Sequence, residues 1–193
     1  MTQERQFTQL VSVACHDVVT PIATVYGFAR TLEGLELDEP AGRYVEMIRL
    51  ASEQMRELVE QLRIVAQIEG GRYDPTLVEV DSLELTQAAA ETLDPDSVTV
   101  SGDGSVVKVE PEATRRAVAQ LARAAAKYAS EGRIEVVVRG PELVIFPLGH
   151  AAAPVLLGER LDELGAPAAA VLIRALGGSL VADDERLLIR LPE

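Results

Sequence analysis

Apolar side chains recur at Phe7, Val11, Ala14, Val18, Pro21, Val25, Phe28 and Leu32, a spacing that alternates four and three without a break. That is a heptad seam, and it commits the start of the chain to a long helix with one stripe to bury. After Glu33 and Gly34, an acidic turn through Asp38 and Glu39 reaches Pro40, which reads as an N-cap region with proline at the first helical position. A second seam follows at Tyr44, Ile48, Ala51, Met55, Leu58, Leu62 and Val65, and stops at Gly70 and Gly71, a left-handed C-cap signal. Two long helices joined by a short loop make a hairpin. Leu10, Ile22 and Ala29 flank the first seam, and Val45, Val59 and Ile68 the second, so the apolar stripe is wider than one hairpin can cover. Two hairpins in a homodimeric four-helix bundle would cover it.

From residue 76 the texture changes. Short β-rich runs at 77–80, 98–100, 106–109, 133–139, 143–146, 179–182 and 187–191 alternate with helical stretches at 82–93, 111–130 and about 167–176, punctuated by Gly132, Gly140-Pro141 and Gly177-Gly178. The expected fold class is α+β: a helical hairpin over 1–72, then a small α/β domain over 76–193 with a mixed sheet and helices on one face. At 193 residues there is no room for a separate sensor domain beside these. A hydrophobic fraction of 48% with 25% charged residues suits a globular chain.

The net charge of -13 comes from 18 Lys plus Arg against 31 Asp plus Glu. Residues 1–75 hold 7 basic and 12 acidic side chains, or -5, and the rest hold 11 and 19, or -8. Neither half is a basic module, which argues against nucleic acid and against anionic membrane surfaces as partners. One cysteine and two histidines cannot supply an ordinary structural zinc site, so no metal site is expected. The N-terminus has no apolar h-region, and no apolar run approaches the ~20 residues of a membrane span, so a cytoplasmic location is the default expectation.

With Val11, Val18 and Val25 at a and Ala14 and Pro21 at d, His16 falls at f, the most exposed heptad position. Thr20 shares its face and Asp17 flanks it at g. An exposed imidazole on a rigid helix is a reachable nucleophile; Asp17 could hold one ring nitrogen and leave the other lone pair outward, and Thr20 could orient a water. An isolated histidine there would read as an ordinary surface residue. The surrounding His-Asp-x-x-Thr-Pro pattern, and Val13 and Val19 placing apolar groups where a solvated face is expected, point to partner docking. Pro21 should kink the helix just after the His16 turn.

The stretch Ala14-Cys15-His16-Asp17-Val18-Val19-Thr20-Pro21-Ile22, continued by Tyr26-Gly27-Phe28, resembles the H-box of bacterial two-component histidine kinases. Residues 44–71 resemble the second helix of the same dimerisation and phosphotransfer domain. The resemblance implies His16 as phosphoacceptor, Asp17 as its acid/base partner and Thr20 as an aid to phosphatase chemistry. It also implies that specificity lies around Val13, Val19, Ala23 and the facing part of the second helix.

The remainder resembles the family's ATP-binding domain, with departures. Ala126-Lys127-Tyr128 is similar to the end of the N-box, but the two expected asparagines read Gln120 and Ala124, and alanine has no ligand atom for the magnesium that bridges the phosphates. Where an Asp-x-Gly-x-Gly box should receive adenine stands Pro147-Leu148-Gly149-His150-Ala151, and the phosphate loop is reduced to a stretch in which Gly165 alone keeps its glycine. The chain is therefore expected to lack ATP-dependent autokinase activity and to bind no cofactor itself. That pattern resembles the dimeric bacterial histidine phosphotransferases, whose partners are response-regulator receiver domains that bring their own Mg2+. An atypical sensor histidine kinase that still binds ATP, and a non-catalytic adaptor or receiver phosphatase, are the alternatives. His150 reads as a surface residue and Cys15 as a partly buried filler without a basic neighbour.

Overall fold

In the computed structural model the chain forms two compact units, Met1–Arg72 and Tyr73–Glu193. The structure describes residues 3–35, 37–149, 151–160, 162–183 and 185–193; in the first helix its side chains are described at residue 11 and from residue 15 onward.

The first unit is a hairpin of α1 (Gln3–Glu33) and α2 (Glu39–Glu69). Helix α1 runs unbroken through Pro21, whose missing N–H leaves the Asp17 carbonyl without its helical donor. Pro40 stands at the second helical position, after Glu39. Helix α2 ends in a Schellman turn: Arg72 N–H donates to the Gln67 carbonyl and Gly71 N–H to the Ile68 carbonyl, both at 2.9 Å, with Gly71 at φ +64°. Only glycine holds that φ without steric cost.

Inside the hairpin the buried positions among the described residues are Cys15, Ile22 and Ala29 on α1 and Val45, Ser52 and Ala66 on α2. Ser52 satisfies its buried hydroxyl by donating to the Ile48 carbonyl at 2.7 Å. The flanking residues of the sequence pattern thus make the internal contact. The seam residues face outward: Val18, Val25, Phe28 and Leu32 on α1, and Tyr44, Ile48, Met55, Leu58 and Leu62 on α2, are all exposed. Small side chains at the contact let the helices approach closely, and the larger apolar groups lie on the flank left over. Arg49 ties the two helices near the loop, donating to Glu33 at 2.8 Å and to Glu53 at 3.1 Å.

The second unit runs β1 (Val78–Asp81), α3 (Ser82–Ala90), β2 (Val98–Gly104), β3 (Val106–Val109), α4 (Pro111–Tyr128), β4 (Ile134–Gly140), β5 (Glu142–Phe146), α5 (Ala152–Leu156), α6 (Gly165–Ala175), β6 (Ser179–Ala182) and β7 (Leu187–Arg190). Five strands form a mixed sheet in the order β2-β4-β5-β7-β6, parallel between β2 and β4 and antiparallel elsewhere. Its inner face buries Val136, Val138, Leu143, Ile145, Leu187 and Ile189, and helices α3, α4 and α6 pack on that face. Each such side chain contributes about 1.5–3 kcal/mol of burial.

Three features differ from the sequence expectation. Strands β1 and β3 form their own two-stranded antiparallel sheet and do not join the large one. The chain end joins the two layers instead, with Lys108 N–H donating to the Pro192 carbonyl and Leu191 N–H to the Pro141 carbonyl, both at 2.9 Å. Strand β2 extends beyond residue 100 because parallel pairing with β4 carries it to Gly104 opposite Gly140. Helix α5, five residues long, was absent from the expected elements. Asp81 explains the start of α3, its carboxylate accepting from Leu83 N–H at 2.8 Å and Glu84 N–H at 3.0 Å.

Among the described residues no helix is long and apolar enough to cross a membrane. No group of three or more His, Cys, Asp or Glu among them is placed to hold a metal ion.

Candidate functional site

His16 lies in the middle of α1 on a face that meets neither α2 nor the outward apolar stripe. Its side chain is 84% exposed and that of Asp17 is 74% exposed. Neighbours along a helix point about 100° apart, so an approach between them depends on rotamer; here His16 Nδ1 comes within 3.4 Å of Asp17 Oδ1. That contact is long, and it turns Nε2 toward solvent. Thr20, one turn on, is exposed on the same side, as is Ala23. Thr24 donates its hydroxyl to the Thr20 carbonyl at 3.1 Å.

Beneath His16 the thiol of Cys15 is buried against α2. Burial raises the Cys15 pKa, while the charge of Arg63 draws it down and that of Glu60 pushes it up. A basic neighbour is therefore present, contrary to the sequence expectation, but Glu60 already grips the Arg63 guanidinium, with contacts of 2.9 and 2.6 Å. Val19 is half-buried, because position 19 continues the edge that leads to Cys15, Ile22 and Tyr26; of the expected apolar docking residues it offers less surface than its heptad position suggested. The side chain of Val13 lies outside the described residues, and so does His150.

In the second unit four of the positions expected to hold a nucleotide, Gln120, Ala124, Gly149 and Gly165, are engaged in packing. Gln120 is half-buried on α4, and its side chain lies so close to Gly165 that a β-carbon added there would be 2.7 Å from Gln120 Oε1. Ala124, one turn later, is 2% exposed. Helix α6 starts at Gly165 and buries Ala166, Ala169 and Ala170 while packing on α4. Gly149 sits with its α-carbon against the Tyr128 backbone, where a β-carbon would overlap the carbonyl oxygen. Pro147 is exposed and follows Phe146 through a cis peptide bond. Lys127 bonds Glu163 at 3.0 Å, tying the end of α4 to the segment before α6. The structure thus joins Gln120 to Gly165, and Gly149 to the end of α4, while Pro147 makes no such contact among the described bonds.

Residues 8–71 match the family model of the His Kinase A (phospho-acceptor) domain. The sensor protein EvgS of Escherichia coli O157:H7 is 26% identical over 141 residues, 67% of this chain but only 12% of that protein. The chain therefore spans about an eighth of the curated relatives it matches. Among solved structures, full-length ShkA in complex with AMPPNP superposes with a TM-score of 0.65 at 19% identity, covering 94% of this chain and 44% of that one. The Acinetobacter baumannii histidine kinase AdeS gives 0.61 at 15% identity, covering 92% and 97%. The His Kinase A match over residues 8–71, and an α/β unit that shares its fold with the two histidine-kinase structures, support a two-component histidine-kinase core.

Proposed function

We propose that the chain is a phosphorelay intermediate that moves phosphoryl groups between receiver-domain aspartates through His16 and does not phosphorylate itself from ATP. One contrast supports this reading: His16 is open to a partner, whereas Gln120 is packed onto Gly165 and Ala124 is buried. The residues at the second unit's nucleotide positions do not fit Mg-ATP. A carboxamide fills the approach to the one remaining phosphate-loop glycine, and the second metal-ligand position is a methyl group.

The chemistry follows from the outward Nε2. Neutral His16, with its proton on Nδ1 beside Asp17, attacks the phosphorus of a receiver aspartyl phosphate. The N–P bond forms as the acyl P–O bond breaks, and the aspartate leaves as carboxylate. The Nδ1 proton stays in place, and Asp17 stabilises the positive ring that results. Magnesium held by the receiver would offset charge on the transferring group, so the hairpin needs no metal of its own. The reverse attack by a second receiver completes the relay. On this reading Thr20, exposed one turn away, orients water for hydrolysis of the receiver phosphate. The outward stripe from Val18 to Leu32 and from Tyr44 to Leu62 belongs, on this reading, to a homodimeric four-helix bundle in the cytoplasm.

The test is a phosphotransfer profile against the receivers of the source organism. A phosphorylated receiver should label the wild-type chain, and His16→Ala should not be labelled; labelling that survives the substitution overturns the reading. Acid-labile incorporation from labelled ATP alone would establish the kinase alternative instead.

A further inference from the structure

We infer that Arg63 is the cation that meets the phosphoryl group as it passes through His16, with Glu60 as its resting counter-ion. The inference rests on the phosphorelay reading above.

Helix α2 carries arginines at 49, 56 and 63, seven residues apart and therefore along one line of the helix. Arg49 and Arg56 follow the buried contact positions Val45 and Ser52 by four residues, and Arg63 follows the half-buried Val59 by four, whereas Ile48, Met55 and Leu62 of the outward stripe follow the same three positions by three. The arginine line thus runs on the side of the contact away from the apolar stripe. On α1 the matching edge is Val19, Tyr26 and Glu33, also seven apart, and His16 and Ala23 lie just beyond it. The 2.8 Å bond from Arg49 to Glu33 fixes the antiparallel register. Fourteen residues from that pair in each helix, Arg63 comes level with Val19, in the turn that follows His16. The charge of Arg63 also acts on the Cys15 thiol, in keeping with this register.

The chemistry of the site calls for such a group. A phosphoryl dianion on His16 would stand beside Asp17 on a stretch whose formal charge is already -5, from 7 basic and 12 acidic residues over 1–75. Arg63 is 39% exposed, so partner oxygens can reach it, yet it is held in place by the two contacts to Glu60. A guanidinium presents the same fork to phosphoryl oxygens as to a carboxylate. Arg49 and Arg56 lie farther toward the loop, and both share Glu53, at 3.1 and 3.7 Å. During transfer Arg63 exchanges its N–H contacts from the Glu60 carboxylate to the phosphoryl oxygens, while the N–P and P–O bonds form and break as described above.

The opposed roles of the pair provide the test. The 193-residue chain carrying Arg63→Gln, Arg63→Lys or Glu60→Gln is mixed with a labelled phospho-receiver that labels the wild type, and rates are read at limiting and saturating receiver. Arg63→Gln should lower the saturating rate about tenfold, the size of one charge-assisted contact, with a smaller change in KM. Arg63→Lys should recover part of the loss, and Glu60→Gln, by freeing the guanidinium, should raise the rate. Equal losses in Arg63→Gln and Glu60→Gln, tracking their melting temperatures, would make the pair a structural strut and overturn the inference. So would a wild-type rate in Arg63→Gln. Failure of every receiver to label the wild type would instead strike the phosphorelay reading itself.

Discussion

Phe28 offers the sharpest test of how the hairpin is completed. It is 68% exposed in the single chain although it belongs to the α1 heptad seam. An aromatic side chain has about 200 Å² to bury, so about 140 Å² remains open here. At ~25 cal/mol per Å², full coverage by a second hairpin would contribute about 3 kcal/mol per copy, and both copies gain it. Half coverage still leaves about 3 kcal/mol for the dimer, a roughly 100-fold change in its dissociation constant. Phe28→Ala should weaken self-association by at least that factor in sedimentation equilibrium, and it should lower the melting temperature of the hairpin at a given protein concentration. Because Phe28 contributes little to the contact between α1 and α2, helix content at high concentration should be preserved. An unchanged dissociation constant, or a wild-type chain that stays monomeric at high concentration, would refute the argument that the outward stripe is covered by a second copy.

Two further predictions concern the second unit. Tyr73 donates its hydroxyl to the Glu110 carboxylate, and burial first, then that contact, holds its pKa well above the usual phenol range. A raised folded-state pKa means that this contact stabilises fully below the ordinary tyrosine value of about 10 and loses its contribution as pH climbs through the folded value. Alkaline absorbance titration should show a late phenolate step that disappears in Tyr73→Phe; no difference between the two curves would refute it. Gly149→Ala should destabilise by about 1–3 kcal/mol, since its β-carbon meets backbone at Tyr128, whereas Gly165→Ala meets only the movable end of Gln120 and should cost less. Thermal melts that reverse this order would contradict the packing described.

The alternation of four and three made the hairpin legible, because helix periodicity is a local property. Which neighbour covers which stripe is not local. The residues that look like the seam face outward, and the pair that holds α1 to α2 is decided by side-chain size at Cys15, Ala29, Ser52 and Ala66. In the α/β unit, strands such as Val106–Val109 and Ser179–Ala182 coincide with their β-rich runs. Their division into two sheets could not be read, since pairing partners are set by tertiary register. Helix α5 escaped because five residues containing Pro154 carry no periodic signal. The exposure of His16 follows directly from its heptad position. The contact of Gln120 with Gly165 joins residues 45 apart in sequence and had no local signature.

That contact has a consequence for what such a protein can respond to. An ATP-using kinase feels the adenylate pool of the cell, and its output drifts when the ATP to ADP ratio falls. Gln120 Oε1 lies beside Gly165, where an added β-carbon would come within 2.7 Å of it. On the proposed reading, phosphoryl flow through His16 would then depend only on how far each receiver is phosphorylated. On that same reading nucleotide-mimetic kinase inhibitors would leave this flow unchanged, and replacing Gln120 by asparagine alone would shorten the side chain beside Gly165 without supplying a second ligand at Ala124.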